Sequence, residues 1–266
     1  MDHPEIDKIS FTGSTAVGLH ILRNAGLKRV TMELGGKSPH IVLNDADLDA
    51  AIQNTAFSIY LNNGQVCLAG SKTYVQEGIY DEFVKRAAEV SKHMKVGDPF
   101  EEGAFNGPLV SAEQRDKVEN YCKLGQKEGA NLVAGGKKID GKGYFFEPTV
   151  FADVTDEMTI AKEEIFGPVM SVTKFKTLEE VIERANNNEY GLAAGVNTSS
   201  MENALAVVNN LQSGTCFVNT WMAMSVLTPF GGYKNSGIGR EFGMEGLRPY
   251  QETKTVIVKQ PELAGH

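Results

Sequence analysis

Short apolar segments alternate with longer amphipathic ones along most of this chain, and few folds accommodate that alternation. Strand patterns fall at 6–12, 28–33, 40–43, 72–76, 131–134, 168–175, 192–196 and 215–219. Helical spacing runs over 45–62, 79–94, 111–128, 178–187 and 200–212, and a further helix opens after the glycine turn at Gly13. Several strands are almost wholly apolar, as strands covered on both faces must be. Strands separated by helices pair in parallel, so the expected fold is α/β with a doubly wound parallel sheet. Asn44 or Asp45 is the expected cap of helix 45–62. Ser111 with Gln114, Thr177 with Glu180, and Ser199 with Glu202 have capping-box spacing. Residues 253–259, T-K-T-V-I-V-K, alternate polar and apolar. They predict a terminal strand that needs a partner, such as another subunit.

Composition excludes several classes. With 41% hydrophobic and 23% charged residues over 266 positions, the chain can bury a sizeable core. A net charge of −8 without a basic run argues against nucleic acid and anionic membrane as partners. Cys67, Cys122 and Cys216 are too few and too scattered for a disulfide framework and suggest a reducing compartment. No CxxC or HxxxH spacing occurs, so no metal site is expected. The polar start is unlike a signal peptide and no apolar run approaches membrane-spanning length. The expected location is cytoplasmic, with an organelle matrix left open.

Two stretches carry the candidate chemistry. Cys67 lies in a polar loop, N-N-G-Q-V-C-L-A-G-S (62–71), bracketed by Gly64 and Gly70. A structural cysteine more often sits among apolar residues on a helix or strand face, whereas this setting suits a nucleophile. Upstream, Glu33 ends a strand against Gly35 and Gly36. Most glutamates are solvated, but one held against a double glycine is accessible to a substrate, and partial burial would tune it toward a general base. The turn at Gly13 and Ser14, between a strand and a helix start, fits a phosphate seat and an ordinary βα turn equally. Gly237-Ile-Gly239 is not a dinucleotide fingerprint, because no strand runs into it and Gly243 falls one place late. The glycine-dense stretch 220–250 suits a loop lining a pocket. Cys122 and Cys216 read as core residues.

The chain resembles the aldehyde dehydrogenase family. The resemblance rests on F-T-G-S-T-A-V-G (11–18), E-L-G-G-K-S-P (33–39), G-Q-V-C-L-A-G-S (64–71), F-E-P-T-V (146–150), K-E-E-I-F-G-P-V (162–169) and P-F-G-G-Y-K-N-S-G-I-G-R-E (229–241). They occur in the family's order over almost the whole chain. The resemblance implies a Rossmann-like catalytic fold and NAD- or NADP-dependent oxidation of an aldehyde through a thiohemiacetal and a thioester. It implies that Cys67 is the nucleophile and Glu33 the base, and that the Cys67 N–H is one oxyanion donor. Gly13, Ser14 and Gly18 would lie along the cofactor pyrophosphate and its helix. Glu164 would hold the nicotinamide ribose and Phe166 would lie beside the nicotinamide ring. Phe230, with Trp221 and Met224, would line an aldehyde tunnel, whose apolar character favours an apolar or aromatic substrate.

The family carries a long segment ahead of F-T-G-S, where this sequence has about ten residues. The expected organisation is therefore a remnant of the dinucleotide-binding domain (1–35), a catalytic domain (36–235), and a return segment with an oligomerisation strand (236–266). Two other functions remain open at this point: a cofactor-independent thiol esterase, and a non-catalytic structural or assembly role. The expected partners are a small aldehyde and further copies of the chain, as a dimer or tetramer.

Overall fold

The computed structural model describes residues 1–259. The elements, in chain order, are β1 (Lys8–Thr12), α1 (Thr15–Asn24), β2 (Arg29–Glu33), β3 (Pro39–Val42), α2 (Leu48–Tyr60), β4 (Lys72–Gln76), α3 (Tyr80–His93), α4 (Ala112–Lys127), β5 (Asn131–Ala134), β6 (Thr149–Ala152), α5 (Thr159–Lys162), β7 (Val169–Phe175), α6 (Leu178–Asn186), β8 (Tyr190–Gly191), β9 (Ala193–Asn197), α7 (Met201–Asn210), β10 (Thr215–Val218), β11 (Tyr233–Lys234) and β12 (Gly237–Ile238). Seven strands form the main sheet in the order β10-β9-β3-β4-β7-β6-β5. Every pair in it is parallel except β5 with β6. The fold is thus α/β and doubly wound, with one antiparallel edge.

Strand periodicity explains the two layers. Val42 and Val75 face α2 and α3, where they meet Ile52, Ile59, Tyr60 and Phe83. Their neighbours Ile41 and Tyr74 point the other way, onto Val181 of α6 and Val207 of α7. Both faces are dry, and each fully buried side chain of this size contributes about 1.5–3 kcal/mol. β6 was not expected as a strand. It is only four residues long but wholly buried between β5 and β7.

A second, three-stranded sheet has the order β1-β2-β12. β1 and β2 are parallel, pairing Thr12 with Glu33. β12 returns antiparallel, pairing Gly237 with Glu33. The loop stretch 220–250 therefore comes back to clasp the end of β2, and Gly237-Ile238 serves as a strand there.

Four capping expectations are corrected, two of them in part. α2 is capped by Asp47, whose carboxylate accepts from the Ala50 N–H at 3.1 Å. Asp45 instead accepts from Thr198 Oγ1, Ser199 Oγ and the Ser200 N–H. α7 consequently starts from Ser200, whose Oγ accepts from the Asn203 N–H, and the Ser199–Glu202 box does not form. Ser111 does cap α4, but Gln114 does not reach back to it. Thr177 caps α6 as expected, while Glu180 accepts from the Lys176 N–H, one residue earlier than a box would place it.

Residues 253–259 form no strand in the single chain, contrary to expectation, and Val256, Ile257 and Val258 are exposed. An edge segment with no sheet beside it has nothing to pair with. The remaining seven residues of the expected 236–266 segment lie outside the described residues. No helix among the described residues is long and apolar enough to cross a membrane.

Candidate active site

Glu33 is the last residue of β2, and four backbone bonds fix its neighbourhood. The Gly13 N–H donates to the Glu33 carbonyl at 3.0 Å, and the Leu34 N–H donates to the Ser236 carbonyl at 2.9 Å. From the far side the 229–241 loop closes over it, held by reciprocal bonds between Phe230 and Glu241 at 2.8 and 2.7 Å. Gly231, at φ 153°, passes so close that a Cβ there would lie 2.9 Å from Glu33 Oε1. The Glu33 side chain is only 5% exposed, and Oε2 has no hydrogen-bond partner. Burial, with the Glu241 charge adding to it and Arg240 opposing, pushes its pKa up to about 8. A buried carboxylate oxygen without a partner is rare outside functional sites.

Cys67 follows α2 through a strained turn. Asn62, Asn63 and Gly64 all have left-handed backbones, with φ of 50°, 57° and 66°. Gly64 abuts the Gly167 carbonyl so tightly that no side chain would fit. The thiol is half-buried; burial first, then Glu164 and Glu33, push its pKa up to about 11, while the Leu68 and Cys67 N–H groups pull it down. Among the described residues no backbone carbonyl accepts from the Cys67 N–H.

Thiol and carboxyl open on one cavity of about 580 Å³. Thr12, Gly13, Ser14, Glu164 and Phe166 also line it. Gly36 donates its N–H to Glu164 Oε1 at 3.1 Å. Burial raises the Glu164 pKa above the usual carboxylate range, against the pull of the Gly36 N–H, Lys117 and Lys37. Phe166 adopts φ 57°, and its carbonyl accepts from Gln114 Nε2 at 2.8 Å. Gly18 is buried in α1 against Leu34, a residue that lines the cavity, and a Cβ there would strike that leucine.

The tunnel residues lie apart from this cavity. Phe230 and Trp221 belong to a buried apolar cluster with Leu68 and Phe217, and Cys67 packs against its edge. Trp221 is 5% exposed and stacks on His40 with ring centroids 4.6 Å apart, while Met224 is exposed. Cys67 thus stands between the cavity it shares with Glu33 and an apolar cluster. The sequence reading missed Gln114 and Lys117 of α4, both of which line the cavity. In the sequence Gln114 had the spacing of a capping residue, so nothing local distinguished its actual task. Among the described residues no cluster of three or more His, Cys, Asp or Glu side chains could hold a metal ion.

A nicotinamide dinucleotide fits the residues present. α1 directs its N-terminal amides toward the Gly13–Ser14 end of the cavity, where phosphate is favoured. The Glu164 carboxylate brings hydrogen-bond acceptors to the same cavity. The double glycine leaves room for both: a Cβ on Gly35 would overlap the Glu164 carboxylate.

Fold and cavity together define an α/β protein in which a cysteine and a carboxyl line one cavity with the βα turn at Gly13–Ser14. The chain belongs to the aldehyde dehydrogenase family, whose model matches residues 1–256. It is 54% identical over 263 residues to an aldehyde dehydrogenase of Enchytraeus buchholzi, covering 98% of this chain and 53% of that protein. To the mitochondrial aldehyde dehydrogenase of Rattus norvegicus it is 52% identical over 264 residues, covering 98% and 51%. Among solved structures, the NAD+ complex of the Bacillus cereus aldehyde dehydrogenase superposes with a TM-score of 0.94 at 50% identity, covering 96% of this chain and 52% of that one. The chain spans about half the length of the curated relatives it matches.

Proposed function

We propose that Cys67 and Glu33 oxidise an aldehyde to a carboxylic acid with NAD or NADP as oxidant. One observation carries this reading: a half-buried thiol and a buried, unpartnered carboxyl share a cavity that is also lined by Ser14, the N-cap of α1. Glu33 takes the thiol proton as the sulfur bonds to the aldehyde carbon, and the carbonyl oxygen, now anionic, faces the Cys67 N–H. A nicotinamide dinucleotide, when bound, supplies the two-electron acceptor that turns the sulfur adduct into a thioester. Glu33 releases the thiol's proton to solvent and, ionised again, takes a proton from water, whose oxygen bonds to the thioester carbon. The C–S bond breaks, the sulfur is restored, and the acid leaves. A carboxyl with a pKa near 8 is matched to such work. Gly13, Ser14 and Gly18 along α1, with Glu164 and Phe166, are the proposed cofactor contacts.

The apolar cluster of Phe230 and Trp221 against Cys67 supports an apolar or aromatic aldehyde. Met224, exposed at the same loop, is proposed as an outer contact. Residues 1–35, 36–235 and 236–266 are proposed as cofactor-domain remnant, catalytic domain, and return segment with an oligomerisation strand. The exposed 256–258 segment supports pairing with a second copy as a homo-oligomer. Three free cysteines favour a reducing compartment, the cytoplasm or an organelle matrix.

The test is Cys67→Ser in the full chain, followed by nicotinamide reduction with an aromatic aldehyde. The expected loss is about three orders of magnitude or more. Unchanged turnover would reject the assignment. Hydrolysis of p-nitrophenyl acetate by the parent protein, with no aldehyde oxidation at any nicotinamide concentration, would favour a thiol esterase instead.

A further inference from the structure

The turn before Cys67 is held by a residue some forty positions away. Two consecutive non-glycine residues in the left-handed region, Asn62 and Asn63, cost about 1–3 kcal/mol each at most, and such a pair persists only where the surroundings over-determine it. Asparagine tolerates the conformation better than most residues, which lowers the cost without fixing the geometry. Asn106 fixes it. It is 1% exposed, and its Nδ2 donates to the Tyr60 carbonyl at 2.7 Å and to Asn63 Oδ1 at 2.8 Å. Asn63 Nδ2 donates in return to the Pro108 carbonyl at 3.3 Å, and the Val110 N–H donates to Gln65 Oε1 at 3.1 Å. Residues 106–110 therefore strap the chain from the last residue of α2 to two positions before the thiol.

We propose that Asn106 is a positioning residue for Cys67, acting through the left-handed turn at Asn62–Asn63–Gly64. The proposal rests on Cys67 being the reacting thiol. With the strap intact, the turn seats Gly64 against the Gly167 carbonyl and delivers the thiol to the cavity half-buried. Without it, Asn62 and Asn63 relax toward ordinary backbone angles and the thiol moves out toward solvent. Asn106 touches neither substrate nor cofactor in this scheme.

The test compares the full chain with Asn106→Ala, Asn63→Gly and the double variant. Iodoacetamide alkylation is followed separately at Cys67 and Cys216 by peptide mass spectrometry, alongside thermal unfolding. For Asn106→Ala the Cys67-to-Cys216 rate ratio at mildly alkaline pH is expected to rise about fivefold or more, because a less buried thiol ionises more readily. Aldehyde oxidation is expected to fall. Adding Asn63→Gly should return the ratio at least halfway, since glycine holds the left-handed angle without the strap. An unchanged ratio with only a lowered melting temperature would overturn the proposal, as would a raised ratio that Asn63→Gly does not reduce. If Asn106→Ala does not fold, Asn63→Leu carries the same measurement, because it leaves the Asn106–Tyr60 bond and removes the two links from Asn63 to Asn106 and Pro108 that tie the strap to the turn. The alkylation ratio reports on the loop whatever reaction Cys67 performs, so failure of the strap and failure of the proposed oxidation are distinguishable.

Discussion

The Gly36 N–H donates to the Glu164 carboxylate at 3.1 Å, while the Gly36 α-carbon lies against the Cys67 carbonyl. One glycine thus spaces the proposed ribose-holding carboxylate from the proposed nucleophile. A methyl group at position 36 would overlap the Cys67 carbonyl, which is backbone and cannot rotate away. Gly36→Ala is expected to cost about 1–3 kcal/mol of stability, as overpacking does. It should also displace both groups. Calorimetric melting together with cofactor titration checks this: a variant that melts and binds like the parent would mean that the contact yields easily.

The pH dependence of Glu33 has a definite sign. Its folded pKa, about 8, lies above its ordinary value of 4.5, chiefly because burial penalises the charged form. From about pH 4.5 upward the unfolded chain therefore sheds this proton before the folded one does. Stability declines with rising pH across the window, and the penalty is complete above about pH 8. Glu33→Gln should abolish that decline, a difference on the order of a few kcal/mol at alkaline pH. Oxidation, which needs the ionised form, should rise across the same range with a midpoint near 8 in the parent. Urea melts and rate profiles at several pH values measure both, and a flat parent profile would remove Glu33 as the titrating base.

Cys67 responds to its acidic neighbours. After burial, the Glu164 charge does most to hold the thiol protonated. Glu164→Gln should lower the thiol midpoint and speed alkylation near pH 9 by about three- to tenfold, the effect of half to one pKa unit. The same substitution should weaken cofactor binding, so alkylation and binding move in opposite senses. Slower alkylation in Glu164→Gln would contradict the electrostatic account.

The layers of the fold were legible because burial on both faces leaves an unbroken apolar run. β4 and β5 begin and end where their patterns do. The terminal strand was not legible in the same sense: its alternation is real, but no strand among the described residues pairs with it. Caps failed where a side chain was recruited at long range. Asp45 has the composition of an N-cap, yet its carboxylate serves residues 198–200, more than 150 positions away. Gln114 behaves likewise, turning from its own helix to the Ile165 and Phe166 carbonyls. The pairing of Cys67 with Glu33 was suggested by motif, but the burial of Glu33 comes from β12 and the 229–241 loop folding back onto β2. No periodicity encodes that return.

Lys37, next to the double glycine, is the most isolated charge in the described chain by burial: it is 1% exposed, and Nζ has no hydrogen-bond partner. Burial, with Lys72 adding to it, lowers its pKa from 10.5 to about 7, against the attraction of Glu164 and Glu163. The folded form therefore gives up this proton at lower pH than the unfolded form does. Between about pH 7 and 10.5 the unfolded chain binds more protons, so stability rises with pH, and the penalty is full at and below about pH 7. Lys37→Met, of similar shape and uncharged, removes that penalty. It is expected to raise stability by on the order of a few kcal/mol near pH 7 and by much less near pH 10. Parallel urea melts at the two pH values are the measurement. A variant less stable than the parent at pH 7 would show that the ammonium has a partner whose bond outweighs the cost of burying the charge.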